Sequence, residues 1–265
     1  MSMVKRKRTE HRFGRHVCNL LRQAGVRPSD SRSIREGLLR KQLRQGGKWG
    51  AAVPPTDPVA KCLAIVRREL RNRPDRSLLW NGKIEMQLKL LIGRAWEKSS
   101  RSATYVMDKR FGRKGGLDLV ALKRGGAEFW IETKCSFFED FRDGTSSARK
   151  ALKQSGRGGG KLTADLKESD VYIVHFLNCV PAGNRHSPPF PQFVLDKYRR
   201  LRTGADRLRQ KYAISDDLYR RSLLNWLMFL YGKPRNTRAK VRTRQMRGMV
   251  LSKMPVLEAL IVKLT

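Results

Sequence analysis

Two carboxylates and a lysine occupy predicted strands at positions where the surrounding pattern is apolar. Asp118 lies inside the run from Leu117 to Leu122, which is otherwise apolar. In the run from Glu128 to Lys134, strand alternation places Glu132 and Lys134 on the same face. A hairpin that joins the two runs would bring Asp118 next to Glu132. We therefore expect two carboxylates and an ammonium group to share one site.

The chemistry that suits this set is hydrolysis of a phosphodiester. Two neighbouring carboxylates repel each other unless a cation joins them, and hard oxygen ligands favour Mg²⁺ or Mn²⁺. Glu85, in the helix predicted to precede the strands, is placed to add a third carboxylate. Lys134 could orient an attacking water or help to deprotonate it, while the metal ion stabilises the charge that develops on the phosphate. The sequence thus predicts a metal site of Asp118, Glu132 and Glu85 with Lys134 beside it.

These residues give the chain a resemblance to a known family. Glu85, then Gly116-Leu117-Asp118, then Glu132-Thr133-Lys134 resemble the signature of the PD-(D/E)xK nuclease superfamily, which has a restriction-endonuclease-like fold. That superfamily also contains junction resolvases and some transposition endonucleases. The resemblance covers residues 77–180 alone, and Leu117 stands where the signature has its proline.

The resemblance implies a role for each of four residues. Asp118 and Glu132 would be metal ligands, and Lys134 would be the catalytic lysine. Glu85 would be the helix acid that supports the metal. The implied activity is that of an Mg²⁺-dependent deoxyribonuclease, a hydrolase that acts on phosphodiester bonds.

The Glu-Thr-Lys triplet is short, so its context matters more than its presence. A chain of this composition contains about two acid-x-Lys triplets by chance. This chain has two, and the other, Asp165-Leu166-Lys167, lies in a polar stretch that is predicted to be helical. Glu132 instead ends a strand that faces another acid-bearing strand. The alternative interpretation of the Glu132 set is a salt-bridged surface hairpin with no chemical role.

The elements that must position these residues follow the usual helix and strand signals. The central part of the chain has the predicted order helix, three strands, helix and strand, which indicates an α/β fold with a mixed central sheet flanked by helices. These elements are predicted at 78–98, 104–107, 117–122, 128–134, 146–154 and 171–177. The other predicted helices cover 33–43, opened by a capping box of Ser33 and Glu36, 57–70, opened by Asp57, and 215–231.

The charge of the chain is large and unevenly distributed. Its 58 Lys and Arg residues against 23 Asp and Glu residues give a net charge of +35, which favours a polyanionic partner. Residues 1–76 hold 20 basic and 6 acidic side chains and residues 181–265 hold 19 and 5, whereas residues 77–180 hold 19 and 12. We therefore predict a basic helical N-terminal region (1–76), a nuclease-like core (77–180) and a basic helical C-terminal region (181–265). A turn near Pro74 and a linker at 181–191 separate them.

The composition excludes several other classes of protein. Hydrophobic residues make up 40% of the chain, which is enough for a packed core, so a disordered basic tail is not expected. The four cysteines form no Cys-x-x-Cys pair, which argues against a zinc finger or a disulfide framework. No apolar run approaches the roughly 18 residues of a membrane span. We expect an intracellular protein, cytoplasmic or nucleoid-associated, or nuclear in a eukaryote.

Two further residues need a separate interpretation. His175 lies in an apolar strand and shares no ligand spacing with another His or Cys, so we expect a buried sheet histidine rather than a catalytic base. Trp226 lies among leucines in the last predicted helix. Because many nucleases cut two strands as dimers, Trp226 and its apolar neighbours could supply the interface of a homodimer.

These patterns lead to one hypothesis and two alternatives. We expect a metal-dependent endonuclease whose basic flanks bind double-stranded or branched DNA, with RNA as an alternative substrate. The first alternative is a non-catalytic basic protein that binds nucleic acid and uses its central acids structurally. The second keeps the nuclease core but gives it a resolvase or transposition role.

Overall fold

The described part of the chain forms a mixed six-stranded sheet with helices on both faces. The computed structural model describes residues 3–45, 55–72, 84–110, 116–124, 126–155, 170–178, 192–232, 246–253 and 257–264. Its helices are α1 (Met3–Gln23), α2 (Arg32–Gln45), α3 (Pro58–Asn72), α4 (Ile84–Ser99), α5 (Phe141–Ser155), α6 (Gln192–Tyr212) and α7 (Asp216–Gly232). Its strands are β1 (Ala103–Arg110), β2 (Gly116–Lys123), β3 (Gly126–Phe137), β4 (Asp170–Asn178), β5 (Met246–Lys253) and β6 (Leu257–Leu264).

The strands lie in the order β1-β2-β3-β4-β6-β5. Strands β3 and β4 run parallel, and every other neighbouring pair is antiparallel. A parallel pair needs a crossover, and α5 provides it between β3 and β4. The segment from α4 to β4 therefore has the predicted order of helix, three strands, helix and strand. The α/β class with a mixed sheet flanked by helices is confirmed.

Strand β4 lies inside the sheet, between β3 and β6, and both of its faces are covered. Val171, Ile173 and Leu177 belong to the apolar core on one side of the sheet, which also contains residues of α1, α5 and α7. The alternate residues Tyr172 and Val174 belong to the core on the other side, under α3 and α4. A strand that is buried on both faces has a nearly continuous apolar sequence. This explains the apolar sequence of the strand predicted at 171–177.

The prediction of a basic helical C-terminal region (181–265) is wrong for its last part. After α6 and α7, the described residues form two strands, β5 and β6, and β6 pairs with β4 inside the sheet. Four consecutive residues, from Ala259 to Val262, are buried because β6 also has helices over both faces. That continuous apolar run, with β-branched Ile261 and Val262, is typical of a buried strand, although no strand was predicted there.

The helix starts test two capping predictions. Asp57 begins α3 as predicted, because its Oδ1 accepts hydrogen bonds from the backbone N–H groups of Val59 (2.9 Å) and Ala60 (3.3 Å). The capping box of Ser33 and Glu36 is not formed, since α2 already begins at Arg32. The Ser31 hydroxyl accepts from the backbone N–H of Ile34 at 3.5 Å, and Glu36 pairs with Arg32 at 3.2 Å.

Several predictions fall on parts of the chain outside the described residues. These are the turn near Pro74, the helical stretch with Asp165-Leu166-Lys167, and the linker at 181–191. The start of the helix predicted from Leu78 also lies there, so α4 is described from Ile84 onward.

Gly93 permits the close approach of α4 to β1. A Cβ atom at Gly93 would lie 2.5 Å from two ring carbons of Tyr105. We expect Gly93→Ala to lower the free energy of unfolding by about 1–3 kcal/mol, because the ring or the helix must shift. Gly37→Ala in α2 is the matched control, since a Cβ there meets nothing within 4 Å. That change should raise stability by about 0.5–1 kcal/mol. Urea unfolding measures both, and effects of the same sign would contradict the packing argument.

Candidate functional site

Asp118 is held firmly at the start of β2. Its Oδ2 accepts hydrogen bonds from the backbone N–H and from the hydroxyl of Thr133, both at 2.7 Å. Its Oδ1 lies 3.1 Å from Nζ of Lys89. The register that sets Leu119 opposite Ile131 brings this end of β2 alongside Thr133. The two oxygens of Asp118 thus accept three donors, which fix the orientation of the carboxylate.

Lys89 brings a buried ammonium group to Asp118 from α4. Its Nζ lies 3.0 Å from Oδ1 of Asp108, and its side chain is only 9% exposed. Burial lowers the pKa of Lys89, but the Asp118 and Asp108 carboxylates raise it by more, so the pKa of Lys89 lies above its usual value. Lys89 therefore stays charged between the two carboxylates.

Glu132 and Lys134 form an ion pair on β3. Nζ of Lys134 donates to Oε1 of Glu132 at 2.6 Å and to the backbone carbonyl oxygen of Thr133 at 2.8 Å. The Glu132 side chain is 1% exposed. A carboxylate this deeply buried needs a positive partner, because removal from water otherwise favours its neutral form. The short contact within the predicted Glu-x-Lys pair meets that need.

Glu85 reaches the same cluster from the first turn of α4. Its Oε1 lies 3.9 Å from Nζ of Lys134 and 3.5 Å from Oγ1 of Thr133. Burial raises the pKa of Glu85 and the Asp118 charge raises it further, while the lysine charges and the Thr133 hydroxyl lower it. The pKa of Glu85 remains above its usual value, so Glu85 takes up a proton more readily than a free glutamate.

The pKa of Asp118 shifts in the opposite direction. Burial raises the pKa of Asp118, but the hydrogen bonds from Thr133 and the charges of Lys134 and Lys89 lower it by more. Asp118 therefore stays ionised to lower pH than a free aspartate. Neighbouring carboxyl groups with pKa values moved in opposite directions are typical of functional sites, although structural ion pairs also produce them.

All four residues selected from the sequence lie in one linked cluster. Thr133 joins Asp118 to Glu85 through its hydroxyl, and Lys134 joins Glu132 to Glu85 through its ammonium group. The carboxylate of Asp118 contacts Thr133 and Lys89, whereas the sequence predicted Glu132 as its neighbour. We name the set of Glu85, Lys89, Asp108, Asp118, Glu132, Thr133 and Lys134 the acid–lysine cluster.

The acid–lysine cluster suits a divalent cation in its donors and in its charge. Carboxylate and hydroxyl oxygens are the ligands that Mg²⁺ and Mn²⁺ take. Four carboxylates and two ammonium groups give the cluster a formal charge of −2. Among the described residues, no three His, Cys, Asp or Glu side chains are grouped so as to hold an ion by themselves. The ammonium group of Lys134 lies between Glu85 and Glu132, where it is the positive partner of both carboxylates. A metal ion held by Glu85 and Glu132 would contact the same two carboxylates.

His175 is buried in the sheet beside this cluster, as predicted. Its Nε2 lies 2.7 Å from the hydroxyl of Ser136, and its Nδ1 lies 2.7 Å from the hydroxyl of Tyr231. Burial lowers the pKa of His175 to about 3, and the positive charge of Lys134 acts in the same direction. The imidazole is therefore neutral near pH 7, and its hydrogen bonds connect β3 and β4 to α7.

Trp226 is not available as the anchor of a homodimer. Its side chain is 5% exposed and packs against Phe13 and Phe229. Its indole N–H donates to Oγ1 of Thr145 at 2.9 Å. The apolar stripe of α7 packs against α1 and α5 in the core on this side of the sheet. The homodimer stays a prediction without this anchor.

No protein-family model, curated protein or solved structure matches this chain. In the described part of the chain, no helix is long and apolar enough to span a membrane. What indicates a function is therefore the fold, the acid–lysine cluster and the charge of the chain.

Three members of the cluster were not selected from the sequence. Lys89 follows Glu85 by four residues, and this spacing places both side chains on the same face of a helix, a signal that could have found it. Thr133 was named only as the middle residue of the Glu132-Thr133-Lys134 triplet. Asp108 has a left-handed backbone conformation, with a φ angle of 52°. No pattern in the surrounding sequence predicts that conformation.

Proposed function

We propose that this protein is a divalent-metal-dependent endonuclease of the PD-(D/E)xK type that hydrolyses phosphodiester bonds of DNA. The observation that carries the proposal is the acid–lysine cluster, in which Thr133 and Lys134 draw Asp118, Glu132 and Glu85 together. The order of α4, three strands, α5 and β4 is consistent with a restriction-endonuclease-like core at 77–180.

Five residues of the cluster have a role in this proposal. Asp118, Glu132 and Glu85 would hold Mg²⁺ or Mn²⁺, which when bound stabilises negative charge on a phosphate and lowers the pKa of a water. Thr133 fixes the orientation of Asp118 through two hydrogen bonds. Lys134, with a side chain 13% exposed, presents its ammonium group to the attacking water or to a phosphate oxygen.

The charge distribution supports DNA as the substrate. Positive side chains are exposed on helices from both flanks, for example Arg15 on α1 and Arg207 and Lys211 on α6. Such side chains bind phosphates without reading base sequence. We propose double-stranded or branched DNA, and RNA is the alternative substrate with the same backbone charge. A resolvase or transposition role uses the same chemistry and differs in the shape of DNA that is bound.

One observation favours a second candidate function, that of a non-catalytic protein that binds nucleic acid. Each of Asp118, Glu132 and Glu85 already contacts or approaches an ammonium group, as in a purely structural ion-pair network. Under this alternative the cluster stabilises the sheet and takes no metal ion.

Plasmid cleavage separates the two candidates. Supercoiled plasmid, a four-way DNA junction and single-stranded RNA are incubated with the protein in Mg²⁺, in Mn²⁺ and in excess EDTA. The endonuclease converts at least one substrate to nicked or cut product in the presence of metal but not of EDTA. A protein that binds all three substrates and cuts none would overturn the endonuclease proposal and favour the second candidate.

DNA binding should weaken steeply as salt increases. If about six phosphates are contacted, the affinity for a short duplex falls about 1000-fold between 50 and 200 mM salt, because bound cations are released from the DNA. The double variant Arg207→Gln/Lys211→Gln should reduce the slope of log affinity against log salt concentration. The reduction should correspond to the loss of up to about two phosphate contacts. Lys98→Gln is the control, since Lys98 pairs with Glu69. A wild-type affinity that changes less than about 3-fold over this range would contradict the role of the basic flanks.

A further inference from the structure

We propose that Lys89 takes the place of a second cation, so that the acid–lysine cluster binds one divalent ion rather than two. This inference rests on the proposed function, because it concerns the metal content of the same site. It assigns a role to a residue on α4 that the catalytic motif does not include.

The position of Lys89 is that of a bridging cation. Its Nζ lies 3.0 Å from an oxygen of Asp108 and 3.1 Å from an oxygen of Asp118, so one positive group joins two carboxylates. The side chain is 9% exposed and extends from a helix whose neighbouring residues, Leu88 and Ile92, are fully buried. The ammonium group is therefore held in place by the packing of α4.

The lone pairs of Asp118 allow one ion and not two. A carboxylate offers about four lone-pair sites on its two oxygens. Lys89 takes one, and the N–H and hydroxyl of Thr133 take two more. One acceptor site remains for a metal ion. A carboxylate that bridges two ions needs two free sites, and Asp118 could supply them only by giving up Lys89 or Thr133.

The charge of the cluster also indicates that one divalent ion is bound. Its formal charge of −2 is balanced by a single divalent ion. A second ion would leave a charge of +2 next to Thr133 and Glu132, which are 0% and 1% exposed. An excess of charge beside groups removed from water is costly, because the protein interior screens it poorly.

Counting bound Mn²⁺ tests the inference without reference to activity. Calorimetric titration gives the number of ions per chain, and electron paramagnetic resonance distinguishes isolated Mn²⁺ from a spin-coupled pair. Wild-type protein should bind one isolated ion. Lys89→Met removes the positive bridge at similar side-chain length, and this variant should bind two ions and show the coupled spectrum. Lys98→Met on the same helix should bind one, like the wild type.

Asp108→Asn provides a second variant at an exposed position, and it should act in the opposite direction from Lys89→Met. Loss of one negative charge should weaken binding of the single ion about 10-fold, with the stoichiometry unchanged. If Lys89→Met does not fold, the wild-type stoichiometry and Asp108→Asn still decide the question.

The outcomes separate this inference from the proposed function. Two ions bound to the wild-type protein, or one ion with unchanged affinity in folded Lys89→Met, overturn the role of Lys89 and leave the metal-dependent endonuclease intact. No ion bound to the wild-type protein overturns both. One ion in the wild type and two in Lys89→Met support the inference.

Discussion

Asp118→Asn is expected to lower the rate of Mg²⁺-dependent plasmid nicking by at least about 100-fold while DNA affinity stays the same or rises. The change removes the one negative charge that contacts both Lys89 and Thr133. An amide has a single acceptor oxygen, so its NH₂ group must face a donor on one side or the other. Loss of a negative charge does not weaken attraction to phosphates. Nicking assays and binding titrations at the same salt concentration measure the two effects separately.

Glu128→Gln is the matched control for this experiment. Glu128 lies on β3, four residues before Glu132, but its side chain is exposed. The control should cut DNA at the wild-type rate. Unfolding by urea should show that Asp118→Asn is still folded under the assay conditions. If folded Asp118→Asn cuts as fast as the control, Asp118 is not part of the catalytic site.

Trp226→Ala is expected to lower the free energy of unfolding by about 3–5 kcal/mol. Trp226 lies where α7 meets α1 and α5, with Phe13 and Phe229 against its ring. The change opens a cavity in that core and leaves Oγ1 of Thr145 without the indole donor. Thr145 still donates to the carbonyl oxygen of Phe141 at 2.6 Å, so the cavity accounts for most of the loss. Urea unfolding of the full chain measures the change.

Two other variants provide reference values for the stability change of Trp226→Ala. Trp226→Phe keeps most of the ring volume and should cost less than the alanine change, since it loses mainly the hydrogen bond. Ile34→Ala, at a position 53% exposed, should stay within about 0.5 kcal/mol of the wild type. If Trp226→Ala left stability unchanged and altered only the oligomeric state, Trp226 would be an interface residue and its packing in the core would be wrong.

The sequence predicted the central elements well because their patterns are local. In the α4-to-β4 segment, each predicted helix and strand that lies in the described residues corresponds to an observed one, with ends that differ by a few residues. The strands β5 and β6 were missed for a physical reason. Strand β6 pairs with β4, which is distant along the chain, and burial of β6 on both faces removes the alternation that identifies a strand.

The candidate site was predicted in part for a similar reason. Asp118, Glu132 and Lys134 stood out as charged residues in apolar strands, and the pairing of β2 with β3 brings them close together. Lys89 and Asp108 did not stand out, because a charged residue on a helix or near a strand end is ordinary. Their importance depends on a contact between α4 and the end of β1, which no local pattern describes.

The sequence by itself determined the α/β class, the basic character of the chain and the acids and lysine that could do chemistry, because composition and short periodic patterns carry that information. Only the tertiary structure decided which groups satisfy those charges. The packing of α4 against β1 and β2 places Lys89 between Asp108 and Asp118. The pairing of β2 with β3 brings Thr133 within hydrogen-bond distance of Asp118. Buried charges must find partners within a few ångströms, and long-range packing alone determines which partners are that near.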